Sequence, residues 1–364
     1  MLRRSAHGAA EQREDVTRMS SLEAPDGYLV SKDFTPPARD RLGVLTATAR
    51  VMREATLVRI SRPAVERLAV RWADAEWPAT VATVSELHQP GPRENIPNWV
   101  LLLDALNFCF WGPPDGPRWR VTWHGATHDG YNALAAALSR AVEEQQPVAD
   151  AAWLADLEGD TLAHVLRPDE GAPAIPLFAE RLNNAREVGR VLLDRYDGRF
   201  INAIEDADYD AVALEAIIAR DFSSFADIAE WRGAPVPFLK RAQILVSDLR
   251  ALTGGAGAGA ILGMEYLTAF ADYKLPQRLR ALGVLEYVDS LARTVDSLTL
   301  ITAGTEPEIE IRAATIWAVE ALRRALAARG ATRTASAIDE RLWIESQTRL
   351  PDERPYHRTR TIYY

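Results

Sequence analysis

The chain has 364 residues, 48% of them hydrophobic, and a formal net charge of −9. That length allows one large or two closely packed domains, and the apolar content excludes global disorder. No apolar run is long enough for a membrane span, the N-terminus lacks a signal-peptide core, and the lone Cys109 excludes an intramolecular disulfide or a cysteine-rich zinc site. A cytoplasmic protein is expected. The acidic balance also argues against polymeric nucleic acid as a partner, because a phosphate backbone calls for a strong basic face. A mononucleotide, with one phosphate group, needs only about two or three cations.

Residues 1–35 are polar and mixed in charge, include Pro25-Asp26-Gly27, and read as a flexible or late-docking arm. Helical periodicity follows over 38–54 and over 62–76, where Pro63 stands near a helix start. Residues 87–92, around His88, read as a Pro-rich loop, and 98–111 as a buried helix. The run 119–129, with His124-Gly125 in its middle, predicts a small hairpin and is the clearest β signal. Helical periods then cover 131–144, 153–166, 176–196, 211–222, 236–252, 307–329 and 335–345. The fold class expected is mainly α with a small β-hairpin or sheet. Gly254-Gly255-Ala256-Gly257-Ala258-Gly259 follows a helix rather than a strand, so it reads as a flexible connection, not a phosphate loop.

Lys32, Lys240 and Lys274 are the only lysines among 42 cationic residues. The scarcity of lysine is either a mark of a GC-rich genome or, because an ammonium is compact where a guanidinium is broad, a sign that Lys240 and Lys274 serve a tight pocket. In a helix, Lys240, Ile244 and Asp248 share one face. The alternative is an amphipathic helix with charged ends. Pro276 disfavours helix at Leu275, which leaves Asp272-Tyr273-Lys274 at a helix end or in a loop. If that segment is extended, Asp272 and Lys274 point to one side; the alternative is a capping Asp beside a surface Lys. Asp104 and Asn107 stand one helical turn apart in an apolar stretch with Phe108. They pair with backbone or each other, or they border a ligand pocket with an aromatic wall. His88 is a lone loop histidine. The aromatic end, Pro355 to Tyr364, is expected to dock on the body.

Taken in order, Asn98-Trp99-Val100 leading into Leu106-Asn107-Phe108, Lys240-Arg241-Ala242-Gln243-Ile244-Leu245-Val246 with Asp248, Phe270-Ala271-Asp272-Tyr273-Lys274-Leu275-Pro276-Gln277, Glu310-Ile311-Arg312 and Ile362-Tyr363-Tyr364 resemble the queuosine salvage family of queuosine 5′-phosphate N-glycosylases. The likeness runs from about His88 to Tyr364. It implies a fold similar to helix-hairpin-helix DNA glycosylases, with 263–285 as the hairpin segment, and residues 36–364 as one catalytic unit of two packed helical lobes with the cleft between them. It implies hydrolysis of an N-glycosidic bond. Asp272 is the expected catalytic carboxylate, with Asp248 in reserve. His88, Phe270, Asp104, Asn107, Phe108 and Glu345 are expected around the base; in Glu345 the family's carboxylate after Leu342-Trp343 is displaced by Ile344. Lys240, Lys274, Tyr273 and Arg312 are expected around phosphate and ribose.

Cleavage builds positive charge on the ribose, which a fixed carboxylate stabilises. Queuine is a 7-deazaguanine without an N7 to protonate, so oxocarbenium stabilisation has to do more. Its ammonium-bearing side chain wants a carboxylate, such as Asp104 or Glu345. No metal or cofactor is expected, and a monomer is favoured. The rival readings are a nucleic-acid glycosylase and a non-catalytic queuine or nucleotide carrier.

Overall fold

The computed structural model describes residues 27–38, 40–77, 85–351 and 353–364. They fall into two compact units, each assembled from separated stretches of chain. The first takes residues up to Glu76, Ala229–Val236 and Ala271–Thr359; the second takes Trp77–Ile228, Pro237–Phe270 and Arg360–Tyr364.

The first unit is organised on the helix Glu306–Ala327, buried on nearly every side. A helix so apolar all round has to be wrapped by neighbours, here Val44–Glu54, Arg62–Ala73 and Ala335–Ser346. Pro307 lies in its first turn, where a missing N–H costs nothing. Ser61 caps Arg62–Ala73 by accepting from the Ala64 N–H, and Pro63 again occupies the first turn. Val58–Ile60 pairs antiparallel with Leu285–Tyr287. The sequence did not reveal this pairing.

Residues 1–26 of the expected arm lie outside the described residues. The rest of the expected arm is docked: Leu29 N–H donates to Ile60 O at 2.9 Å, and the buried Phe34 ring meets Trp317 edge-on at 5.4 Å.

In the second unit the helix Ile96–Ala105 is central, buried from Pro97 to Ala105. It packs against Lys240–Leu252, Phe178–Arg195, Phe200–Asp206 and Gly130–Glu143. Phe178–Arg195 crosses Ala151–Ala155 at Gly189, where a Cβ would stand 2.2 Å from Ala155 N. The expected hairpin is present as Arg120–Trp123 against Ala126–Asp129. His124 and Gly125 both have positive φ, 47° and 79°, as a two-residue hairpin turn requires.

Three expected helices are corrected. The helix read over 98–111 stops at Ala105, because its last carbonyls are taken by side chains: Arg241 Nη1 donates to Asp104 O (2.9 Å) and Ala105 O (2.7 Å), and Asn184 to Ala105 O (3.0 Å). The segment 153–166 breaks into Ala151–Ala155, capped by Asp150, and Gly159–Val165. Val236 and Pro237 belong to the strand Ala234–Pro237, opposite Ile228–Trp231. The helix read from 236 begins only at Lys240, after Leu239 turns left-handed. Gly254 to Gly259 follows that helix with only a 3-10 turn, Gly257–Gly259, in keeping with a connection. Among the described residues, no helix is long and apolar enough to cross a membrane.

Candidate active site

Each unit carries its own cluster of the expected residues. In the second unit, three helices converge with one turn. Asp227 builds the entry to Lys240–Leu252: its carbonyl accepts from Phe238 and Leu239 N–H, and its carboxylate from Lys240 N–H at 3.2 Å. That helix places Lys240 (5% exposed), Arg241 and Asp248 in the interior. Gln243 on the same helix exchanges hydrogen bonds with Thr268, through Thr268 N–H (2.7 Å) and its own Nε2 to Thr268 Oγ1 (3.1 Å). This pins the segment that ends in the buried Phe270.

His88 follows the short turn Ser85–Leu87. Ser139 of the helix Gly130–Glu143 holds this turn, donating to Leu87 O (2.7 Å) and accepting from Gln89 N–H (2.9 Å). The His88 ring, 5% exposed, lies edge-on to Trp99 and meets Tyr131 Oη through Nε2 at 2.9 Å. Tyr131 in turn donates to Asp248 Oδ2 at 3.0 Å. Tyr131 is the residue that sequence reasoning missed. It sits at the start of an ordinary amphipathic helix, and no local signal distinguishes it.

Asp104 is fully buried; Asn107 donates to its Oδ1 at 3.2 Å, and its Oδ2 has no hydrogen-bond partner. Burial above all, then the nearby Asp248 charge, pushes the Asp104 carboxyl well above the usual carboxylate range, against the opposing pull of Asn107, Lys240 and Arg241.

Asn107 and Phe108 both make interior contacts. Asn107 pairs with Asp104, the blander of its two readings. Phe108 is 1% exposed, with the Arg181 guanidinium 4.2 Å and that of Arg241 5.2 Å from its ring centre. The Phe108 carbonyl also accepts from Arg181. The ring is packed between these two guanidiniums. The closing residues dock as expected: Cys109 N–H donates to Tyr364 O at 2.9 Å, and Arg360 lies over the Trp111 ring.

In the first unit, Asp272 Oδ1 accepts from the backbone N–H groups of Lys274 (2.7 Å) and Leu275 (2.9 Å). The segment is therefore not extended. Asp272 caps the helix Lys274–Ala281, and Pro276 falls in its first turn, where it is tolerated. The Ala271 carbonyl beside it accepts from Arg312 Nε at 3.2 Å, and Arg312 also pairs with Glu308 at 3.4 Å. Arg312, 2% exposed, thus holds the backbone that carries Asp272. Tyr273 and Lys274 gather on Tyr356, with ring centres 4.8 Å apart and Lys274 Nζ 6.0 Å from the Tyr356 ring. Glu345 pairs with Arg341 one turn earlier at 3.0 Å. Among the described residues, no group of three or more His, Cys, Asp or Glu side chains stands where it could hold a metal ion.

Within the second unit, the interior Asp104 and Asp248, the buried Lys240 and the histidine–tyrosine–aspartate chain suit the binding of a small polar molecule and acid–base or electrostatic chemistry upon it. Comparison with known proteins defines the class. A family model described as queuosine salvage protein matches residues 87–364, and the chain belongs to that family. It is 48% identical over 326 residues to a Sphaerobacter thermophilus protein named queuosine 5′-phosphate N-glycosylase/hydrolase, a match covering 89% of this chain and 98% of the relative. Relatives of the same name from Bos taurus (35% identical; 77% of this chain, 85% of theirs) and Mus musculus (34%; 81% and 89%) are similar over most of both chains.

Proposed function

We propose that this chain is an N-glycosyl hydrolase that releases queuine from queuosine 5′-phosphate. The observation that carries the reading is the near-full-length likeness to the Sphaerobacter thermophilus relative that bears that name. Water adds to the ribose anomeric carbon and the C1′–N bond breaks. The bonding electron pair leaves with the base, which takes up a proton, and ribose 5-phosphate is the other product. Asp272 stabilises the developing oxocarbenium charge and orients the water, and its Oδ1, held by two backbone N–H groups, fixes the carboxyl in place. Asp248 is the reserve carboxylate. Lys240 and Lys274, with Tyr273, serve the phosphate and ribose; Arg312 serves them by holding the Ala271 carbonyl. His88 and Phe270 meet the base. The queuine ammonium falls to Asp104 or Glu345, of which Glu345 is the more accessible. A helix-hairpin-helix-like fold is part of this proposal, with the Met264–Tyr266 turn and the Lys274–Ala281 helix in the segment concerned.

The deciding experiment incubates the purified protein with queuosine 5′-phosphate and follows free queuine by chromatography. Release by the wild type and none by Asp272→Asn, which still binds the nucleotide, is the expected result. Binding without release by the wild type makes the protein a carrier, and near-wild-type release by the variant removes Asp272 from the chemistry.

A further inference from the structure

Gln243 is fully buried, and its amide joins two pieces of backbone. Nε2 donates to the Phe238 carbonyl at 2.9 Å, and Oε1 accepts from Thr268 N–H at 2.7 Å. A carbonyl can only accept and a backbone N–H can only donate, so the amide has one orientation. The Thr268 hydroxyl lies against both ends of it, 3.1 Å from Nε2 and 3.2 Å from Oε1.

Each piece of backbone needs such a partner. Leu239 turns left-handed at φ 53°, and Gln243 N–H donates to Leu239 O, so the Phe238 carbonyl falls outside the helix ladder. Thr268 belongs to the buried, irregular stretch 267–270. Irregular backbone in an interior has to find its partners in side chains or water. One glutamine thus serves the turn that delivers Lys240, two residues after Phe238, and the stretch that delivers Phe270, two residues after Thr268. Both attachments lie within the second unit.

We infer that Gln243 is a positioning residue that fixes the separation of the phosphate and base subsites, by tying the Lys240 turn to the Phe270 stretch at the length of one amide. This rests on the proposed function insofar as Lys240 meets phosphate and Phe270 meets the base. Two subsites at a fixed separation bind a linked ligand far more tightly than either fragment, because the second contact becomes intramolecular. Misplacing one subsite against the other by about 1 Å loses that gain. Each fragment can still settle in its own subsite. A fault of separation therefore shows in the whole nucleotide and not in its parts.

The test titrates three ligands into the full-length protein by calorimetry. They are queuine, ribose 5-phosphate, and the carbocyclic analogue of queuosine 5′-phosphate, whose ring methylene supports no oxocarbenium ion and so resists hydrolysis. The wild type is expected to bind the analogue at least about a hundredfold more tightly than either fragment. Gln243→Asn is one methylene too short to reach both backbones. In it the analogue is expected to weaken at least about tenfold while both fragments bind unchanged. Partial unfolding does not produce this split, because it lowers the stoichiometry for all three ligands together. If Gln243→Asn fails to fold, Thr268→Val removes the hydroxyl bridge alone and is expected to weaken the analogue about threefold, again with the fragments unchanged. A loss on either fragment as large as on the analogue, or none on the analogue, overturns the inference. A wild type that binds both fragments but gains nothing from linking them also overturns it, and leaves the functional reading in place. A wild type that binds neither fragment overturns that reading, and the inference falls with it.

Discussion

Glu310 Oε2 accepts the backbone N–H of Leu57 at 2.7 Å, and the same carboxylate takes the N–H groups of Thr56 (3.1 Å) and Val58 (3.2 Å). A helix side chain thus anchors the start of the strand Val58–Ile60. Burial pushes this carboxyl up to about 7 despite the three backbone donors. A raised acid pKa adds stability below the unfolded value, near 4.5, that is lost as pH rises through about 7. His357 has the opposite sign. Burial, then Arg312, lowers it to about 3, so its contribution is present above 6.5 and lost as pH falls toward 3. The two slopes oppose each other between about pH 4.5 and 6.5. Glu310→Gln is expected to unmask the histidine, so that urea midpoints rise with pH across this window more steeply than in the wild type. Unchanged pH dependence would show that Glu310 does not titrate there.

The Gly189 crossing tolerates no side chain. A Cβ would lie 2.2 Å from Ala155 N and 2.6 Å from Ala151 O, backbone atoms that cannot rotate away. Gly189→Ala is expected to cost about 3 kcal/mol or more, above the benefit of alanine in an ordinary helix. Equilibrium urea unfolding measures it, and a stabilised variant would contradict the crossing.

Arg241 holds the carbonyls of Asp104 and Ala105, at the negative end of the Ile96–Ala105 helix dipole, and that of Ser224 in the turn Ser223–Phe225. Lysine keeps the charge but not the planar fork. Arg241→Lys should lose about 2 kcal/mol or more in the same assay. A neutral outcome would mean that charge alone suffices.

Lys240, one residue earlier, is assigned to phosphate. Lys240→Met should weaken queuosine 5′-phosphate at least about tenfold while changing the free nucleoside much less. Calorimetric titration of both ligands decides, and equal losses would move the phosphate site elsewhere.

Where periodicity was local, the sequence was legible: the hairpin at Trp123–Ala126 and the long helices stand close to where they were read. The misreadings share a cause in distant partners. Nothing near Leu106 announces that Arg241 and Asn184 will take the carbonyls before it. Nothing near Phe108 announces that Arg181 and Arg241 will pack against its ring. Among site residues, Lys240, Asp248 and His88 were singled out by residue type or resemblance, and the structure brings Asp248 and His88 onto Tyr131. Tyr131 itself became visible only through the two groups it joins.

The pairing of Val58–Ile60 with Leu285–Tyr287 also sets a timetable for the protein's synthesis. About 225 residues separate the two strands, and a ribosome adding about 5–20 residues per second needs roughly 10–45 s to make them. Through that interval the first strand waits with its hydrogen-bonding edge unclaimed. A nascent chain in this state is a natural client for chaperones. Slower, cooler expression should raise the soluble yield by lowering the number of such chains present at once.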